Sequence, residues 1–149
     1  MIEFTVLGDP QGKARPRVST KNGKARAYTP KKTADYEKMI RTSYALEAGE
    51  RKPYSADVPL CLHLFVECPI PKSTPKKKRE QMLSGAIRPT KKPDADNVAK
   101  VVMDALNGVA YEDDKQIVFL TVQKRYSIEP GVLVVIDELK RNLTKECKT

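Results

Sequence analysis

KKPDADNVAKVVMDALNGVAYEDDKQ, residues Lys91–Gln116, decides how the rest of the chain is read. It carries Asp94 and Asp96 as a D-x-D pair, then an amphipathic run, then Asp113–Asp114 as a second acidic pair. The surrounding chain is basic, with 28 Lys+Arg against 19 Asp+Glu and a net charge of +9 over 149 residues. Acid concentrated on a basic chain suits a divalent cation, and the basic balance suits a polyanion. Together they imply a metal site that works on a nucleic-acid backbone.

Pro93 blocks helix on its N-terminal side and Asp94 is a good N-cap, so the spacing predicts a helix from Ala95 to Asn107. Val98, Val101, Val102, Ala105, Leu106 and Val109 share one face of it. Asp96, Asn97, Lys100, Asp104 and Asn107 share the other, with Asp96, Lys100 and Asp104 stacked one turn apart. Asn107-Gly108 supplies the stop. Such a helix is roughly 20 Å long, and Gly108–Asp114 running extended back along it spans about 20 Å. Asp114 can therefore just return to Asp94 and Asp96 within one subunit, and a site shared across a dimer stays open. The same residues also admit a plainer role. Asp94 can be only a cap, Asp96 a first-turn charge paired with Lys100, and Asp113–Asp114 a turn.

The run K-P-D-x-D-N-x-x-K-x-x-x-D-A-L-N-G-x-x-Y-x-D-D-x-Q-I resembles the signature of the RusA family of Holliday-junction resolvases. A weaker echo lies upstream, where a basic segment ends in Arg26-x-Tyr28 before the helix that holds Tyr36. The resemblance implies a small α+β fold and a nuclease that resolves four-way DNA junctions by symmetric phosphodiester hydrolysis in recombination and repair. It also implies a homodimer, since a junction presents two strands to cut, and a bacterial or phage-encoded protein. It does not reach Gly12–Tyr28 or Pro69–Pro93, where substrate choice would be set.

Phosphodiester hydrolysis needs a nucleophile made from water and charge neutralisation at the transition state. Carboxylates holding Mg²⁺, or Mn²⁺ in its place, provide both. Asp94, Asp96 and Asp114 are the expected ligands, in agreement with what the resemblance implies for those positions. Asp113 and Asp104 are secondary candidates, as outer ligands or as groups that orient the others. Lys100, again as the family implies, would hold the scissile phosphate. Two rival readings are a Mg²⁺-dependent nuclease for other branched DNA and a non-catalytic binder of branched DNA.

Lys13–Lys32 contains Lys13, Arg15, Arg17, Lys21, Lys24, Arg26, Lys31 and Lys32 and no acid at all, with Asn22-Gly23 as a two-residue hairpin signal. Residues 13–28 are thus expected to form a basic hairpin or loop on DNA phosphates. Arg88, Lys91 and Lys92 lead directly into the acidic motif and are expected to join them.

The remaining pattern is one domain over 1–149, a small mixed sheet with helices packed on it. Ile2–Leu7 reads as a first strand. A helix capped by Thr29 starts at Pro30 and runs to Ala48, and a short one capped by Thr74 covers Pro75–Ser84. Leu60–Cys68 alternates as a central strand, Gln116–Tyr126 and Val132–Leu139 read as a hairpin turning at Gly131, and 140–149 as a frayed tail. His63, alone on a strand, suits packing. Cys61, Cys68 and Cys147 lack metal or disulfide spacing. No signal peptide and no apolar run approaching ~18 residues is present, so a cytoplasmic protein with no membrane partner is expected.

Overall fold

The computed structural model describes residues 1–140. The expected tail beyond that point, and Cys147 within it, lie outside the described residues. The chain order is β1 (Ile2–Leu7), β2 (Arg17–Lys21), β3 (Lys24–Tyr28), α1 (Lys31–Ala48), β4 (Leu60–Pro69), α2 (Lys76–Leu83), α3 (Ala95–Leu106), β5 (Ile117–Ser127) and β6 (Gly131–Glu138). A four-stranded sheet in the order β1-β6-β4-β5 and a separate two-stranded ribbon β2-β3 make the fold α+β, as the sequence pattern implies. β4 runs parallel to β5 and antiparallel to β6, and β1 is antiparallel to β6.

The register explains which face is covered. Leu62, Leu64 and Val66 of β4 pair with Ile136, Val134 and Val132 of β6, which pair in turn with Ile2, Phe4 and Val6 of β1. All nine are buried. Tyr36, Ile40 and Tyr44 of α1, and Val98, Val101, Val102, Ala105 and Leu106 of α3, belong to the same core. Each fully buried aliphatic side chain contributes roughly 1.5–3 kcal/mol, so the apolar stripe of α3 fixes its rotation and turns Asp96, Lys100 and Asp104 away from the core. The alternate residues of β4, His63, Phe65 and Glu67, are only half-buried. His63 Nδ1 lies 2.8 Å from Thr121 Oγ1, a packed and partnered histidine.

Three expectations are corrected. β5 and β6 do not form a hairpin, because β4 lies between them. β6 buries Val132, Val134 and Ile136, whereas β5 leaves Val118, Phe119 and Leu120 exposed. The more apolar strand takes the interior position, and β5 takes the edge. Gly131 is the first residue of β6 and serves close packing, since a Cβ there would sit 2.9 Å from Val6 O. Secondly, α1 and α2 begin one residue late, with Pro30 and Pro75 at their N-caps and no side-chain cap bond from either. Thirdly, Gly108–Asp114 does not run extended along α3. Gly108 N–H donates to Tyr111 O at 2.8 Å and Ala110 N–H to Leu106 O at 2.9 Å, so the chain folds into a tight turn. Tyr111 is fully buried there, its hydroxyl donating to Met103 O at 2.7 Å.

Candidate active site

Asp94 occupies the N-cap position of α3, but its side chain makes no capping hydrogen bond. The carboxylate is thus not consumed by the helix. Asp96 follows in the first turn, where the helix dipole favours negative charge. Both are exposed. Among the described residues, no ion pair engages Asp94, Asp96 or Asp114.

Asp114 begins a short 3-10 turn, Asp114–Gln116, whose cap is Asp113. The Asp113 carboxylate accepts Lys115 N–H at 3.0 Å, and that bond is the main reason its pKa is held below the usual 3.8. Gln116 is the buried anchor of the turn: its Oε1 accepts Asp113 N–H, and its Nε2 donates to Ser55 O and Val58 O. The turn that Asp114 begins packs against α3. Burial pushes the Tyr111 phenol up, and the charges of Asp114 and Asp104 push it further.

Asp104 is engaged differently from the other aspartates. Its Oδ1 accepts Lys100 Nζ at 2.9 Å and its Oδ2 lies 3.2 Å from Lys13 Nζ. Lys100 therefore pairs with Asp104, not with Asp96 as the helical spacing allowed. Lys13, expected on DNA, is turned inward, where it also binds Glu37. Burial opposes the Lys13 charge, but hydrogen bonds and attraction from Glu37 and Asp104 win and hold its pKa above 10.5.

Among the described residues, no three His, Cys, Asp or Glu side chains are gathered closely enough to hold a metal ion. Asp94 and Asp96 lie at the start of α3, and Asp114 begins the 3-10 turn that packs against the same helix. The donors are chemically right for a hard cation. Mg²⁺ is commonly held by one or two carboxylates together with substrate phosphates and water, without an all-protein cage. The open Asp94–Asp96 pair suits that kind of binding.

A cleft of about 400 Å³ lies beside Asp94, walled by Gly12, Lys13, Lys32, Lys92, Pro93 and Asn97. Lys92 precedes Pro93 and Asp94 on that wall. Lys32, at the start of α1, closes the acid-free basic run and lines the same cleft. The basic ribbon projects from the same region. Every residue from Arg17 to Tyr28 is exposed. Its register pairs Arg17 with Tyr28, Ser19 with Arg26 and Lys21 with Lys24. Directly opposed residues share a face, so the bases line one side and Val18, Thr20, Ala25 and Ala27 the other. Arg88 and Lys91 are exposed along β5, Arg88 reaching Lys124 O at 3.4 Å.

Residues 8–137 match the family model described as endodeoxyribonuclease RusA. The chain belongs to the RusA family. It is also similar to "Uncharacterized protein YqaN" of Bacillus subtilis (strain 168), at 43% identity over 141 residues, covering 93% of this chain and 96% of that protein. The RusA match takes in α3, the 3-10 turn and the ribbon together, so the acidic motif and the basic arm fall within one endodeoxyribonuclease family domain. No helix among the described residues is long and apolar enough to cross a membrane.

Proposed function

We propose that this RusA-family chain is a divalent-metal-dependent endonuclease that resolves four-way DNA junctions by paired symmetric nicks, acting as a homodimer. The carrying observation is Asp94, a capping-position carboxylate left unspent by the helix, two residues before Asp96 and on the wall of a cleft with Lys32 and Lys92. Asp94 and Asp96 would hold Mg²⁺ or Mn²⁺, with Asp114 as a third donor. A cation bound there supplies Lewis-acid charge and lowers the pKa of its water. Lys32 and Lys92 attract the phosphate chain into the cleft. Lys100 meets the scissile phosphate from the neighbouring turn of α3. Asp113 and Asp104 act as supports, since one caps the turn of Asp114 and the other is engaged by two lysines. Arg15, Arg17, Lys21, Lys24 and Arg26 on the arm, with Arg88 and Lys91, bind phosphates along the junction. A role in recombination and repair in a bacterial or phage setting, in the cytoplasm, follows from that reading.

The test is a labelled four-way junction incubated with protein and Mg²⁺. Symmetric paired nicks support resolution. Cuts confined to flaps or replication forks would instead favour a nuclease for other branched DNA, and binding without nicks would favour a non-catalytic binder.

A further inference from the structure

The root of the basic arm is fastened to the helix that carries the acidic motif. Lys13 N–H donates to Asn97 O at 2.9 Å, and Ala14 N–H to Thr33 Oγ1 at 3.2 Å. Gly12 lies so close to α3 that a Cβ there would stand 2.8 Å from Asn97 Cβ. The backbone so held aims the Lys13 side chain between α1 and α3, where it meets Glu37 and Asp104. Those three side chains are 20%, 16% and 23% exposed, whereas Lys100, on the other oxygen of Asp104, is 60% exposed. Glu37, Lys13, Asp104 and Lys100 form a row of alternating charge running from the interior to the surface. It holds two cations and two anions.

That balance matters for Lys100. A half-buried carboxylate attracts a cation strongly, because the surrounding dielectric is low. With Lys13 in place, Asp104 is already neutralised from the inner side, and Lys100 is held only by what remains. Without Lys13, Glu37 and Asp104 would both draw on the one exposed lysine. We propose that Lys13 is a positioning residue: by satisfying Asp104 from beneath, it frees Lys100 to leave α3 for a DNA phosphate. This rests on Lys100 meeting the scissile phosphate, as proposed above. It also explains why a basic residue of the arm faces inward, since Lys13 serves the site and the arginines beyond it serve the DNA.

The experiment uses Lys13→Met, Lys13→Arg, Asp104→Asn and Lys13→Met combined with Asp104→Asn. Two quantities are read on each full-length protein: the rate at which a water-soluble acetylating reagent labels Lys100, by mass spectrometry, and the single-turnover nicking rate on a four-way junction with Mg²⁺. Lys13→Met is expected to slow both by about tenfold, equivalent to about 1.4 kcal/mol of added hold on Lys100. The slope of binding against salt should stay unchanged, because Lys13 does not touch phosphate. Lys13→Arg should resemble wild type, and adding Asp104→Asn to Lys13→Met should restore labelling. Asp104→Asn alone should speed labelling, which keeps the test decisive if Lys13→Met does not fold. Wild-type labelling in Lys13→Met or in Asp104→Asn, or a double variant no faster than Lys13→Met, overturns the proposal. A wild-type protein that never nicks a junction would sink the nuclease reading, and the labelling rates would still decide the role of Lys13.

Discussion

Gln116 Oε1 accepts the backbone N–H of Asp113 at 3.0 Å, closing the turn on which Asp114 sits. The same Gln116 donates through Nε2 to Ser55 O at 2.6 Å and Val58 O at 3.1 Å, so one buried amide ties the acidic turn to the connector before β4. Gln116→Ala would leave these buried partners unmet, at a cost of about 1–3 kcal/mol. Chemical denaturation should show that loss, and nicking should fall with it as Asp114 loses its support. Full stability in the variant would mean that water replaces the amide and that the turn holds itself.

Asp96→Asn removes one carboxylate from the start of α3 without changing its size. Junction cutting should drop by at least about a hundredfold, beyond the effect of losing a mere orienting group. Junction binding should hold or tighten, since a negative charge beside the phosphate is gone. Gel-shift and nicking assays on the same preparation separate the two, and chelating the divalent cation should reproduce the catalytic loss in wild type. A variant that cuts at the wild-type rate removes Asp96 from the ligand set.

The one-sided ribbon makes a prediction that a featureless basic loop would not. Arg17 and Arg26 fall on the face that also holds Lys21 and Lys24, while Val18 lies on the opposite face and is 69% exposed. Neutralising Arg15, Arg17 and Arg26 should weaken binding and lower the salt slope by about 0.9 for each phosphate that is no longer neutralised. Val18→Ser should change neither. Equal effects from the two faces would show that the ribbon acts only through its net charge.

Local chemistry made α3 and the ribbon legible. The Val98–Leu106 stripe has a single solution as a helix on a sheet, and Asn22 and Gly23 adopt the positive φ values, 54° and 72°, that their hairpin signal implies. Strand order was not legible, because β4 separates β5 from β6 through a competition for burial that no short stretch encodes. The partner of Lys100 was hidden for a similar reason. Asp96 and Asp104 lie one turn away on either side, and what distinguishes them is Lys13, brought in from a distant part of the chain. The path of Gly108–Tyr111 was not legible either, since it is a tight turn that buries the Tyr111 ring in place of an extended run.

The hydroxyls of Tyr36, Tyr44 and Tyr54 are buried and have no hydrogen-bond partner. Burial is the leading cause that raises all three, carrying Tyr36 to about 12 against a weak opposing pull from the Gln11 amide, short of a formed bond. An unfolded tyrosine ionises near pH 10. Between that value and the folded one the unfolded chain loses protons first, so stability declines as pH rises from about 10. For Tyr36 the loss is on the order of 2–3 kcal/mol once pH passes its folded value. Denaturation midpoints measured from pH 8 to 11.5 should fall in that upper range, and Tyr36→Phe should flatten the decline. An equally steep decline in Tyr36→Phe would locate the titrating group elsewhere.

Gly12→Ala tests the fastening between arm and site. The residue is not in the left-handed region, so the added methyl meets a problem of space alone: 2.8 Å to Asn97 Cβ and 3.7 Å to Pro93 Cβ. The neighbour is a Cβ on a packed helix, which cannot swing aside as a long side chain could, so the root of the arm has to move off α3. Overpacking of this kind costs about 1–3 kcal/mol, and the displacement stretches the bond from Lys13 N–H to Asn97 O. Stability by denaturation should fall by that amount, and nicking should fall further than junction binding, because the arm's arginines remain exposed while the Lys13 ammonium loses its aim. Binding and nicking that decline in equal proportion would show that the root carries the arm without aligning the site.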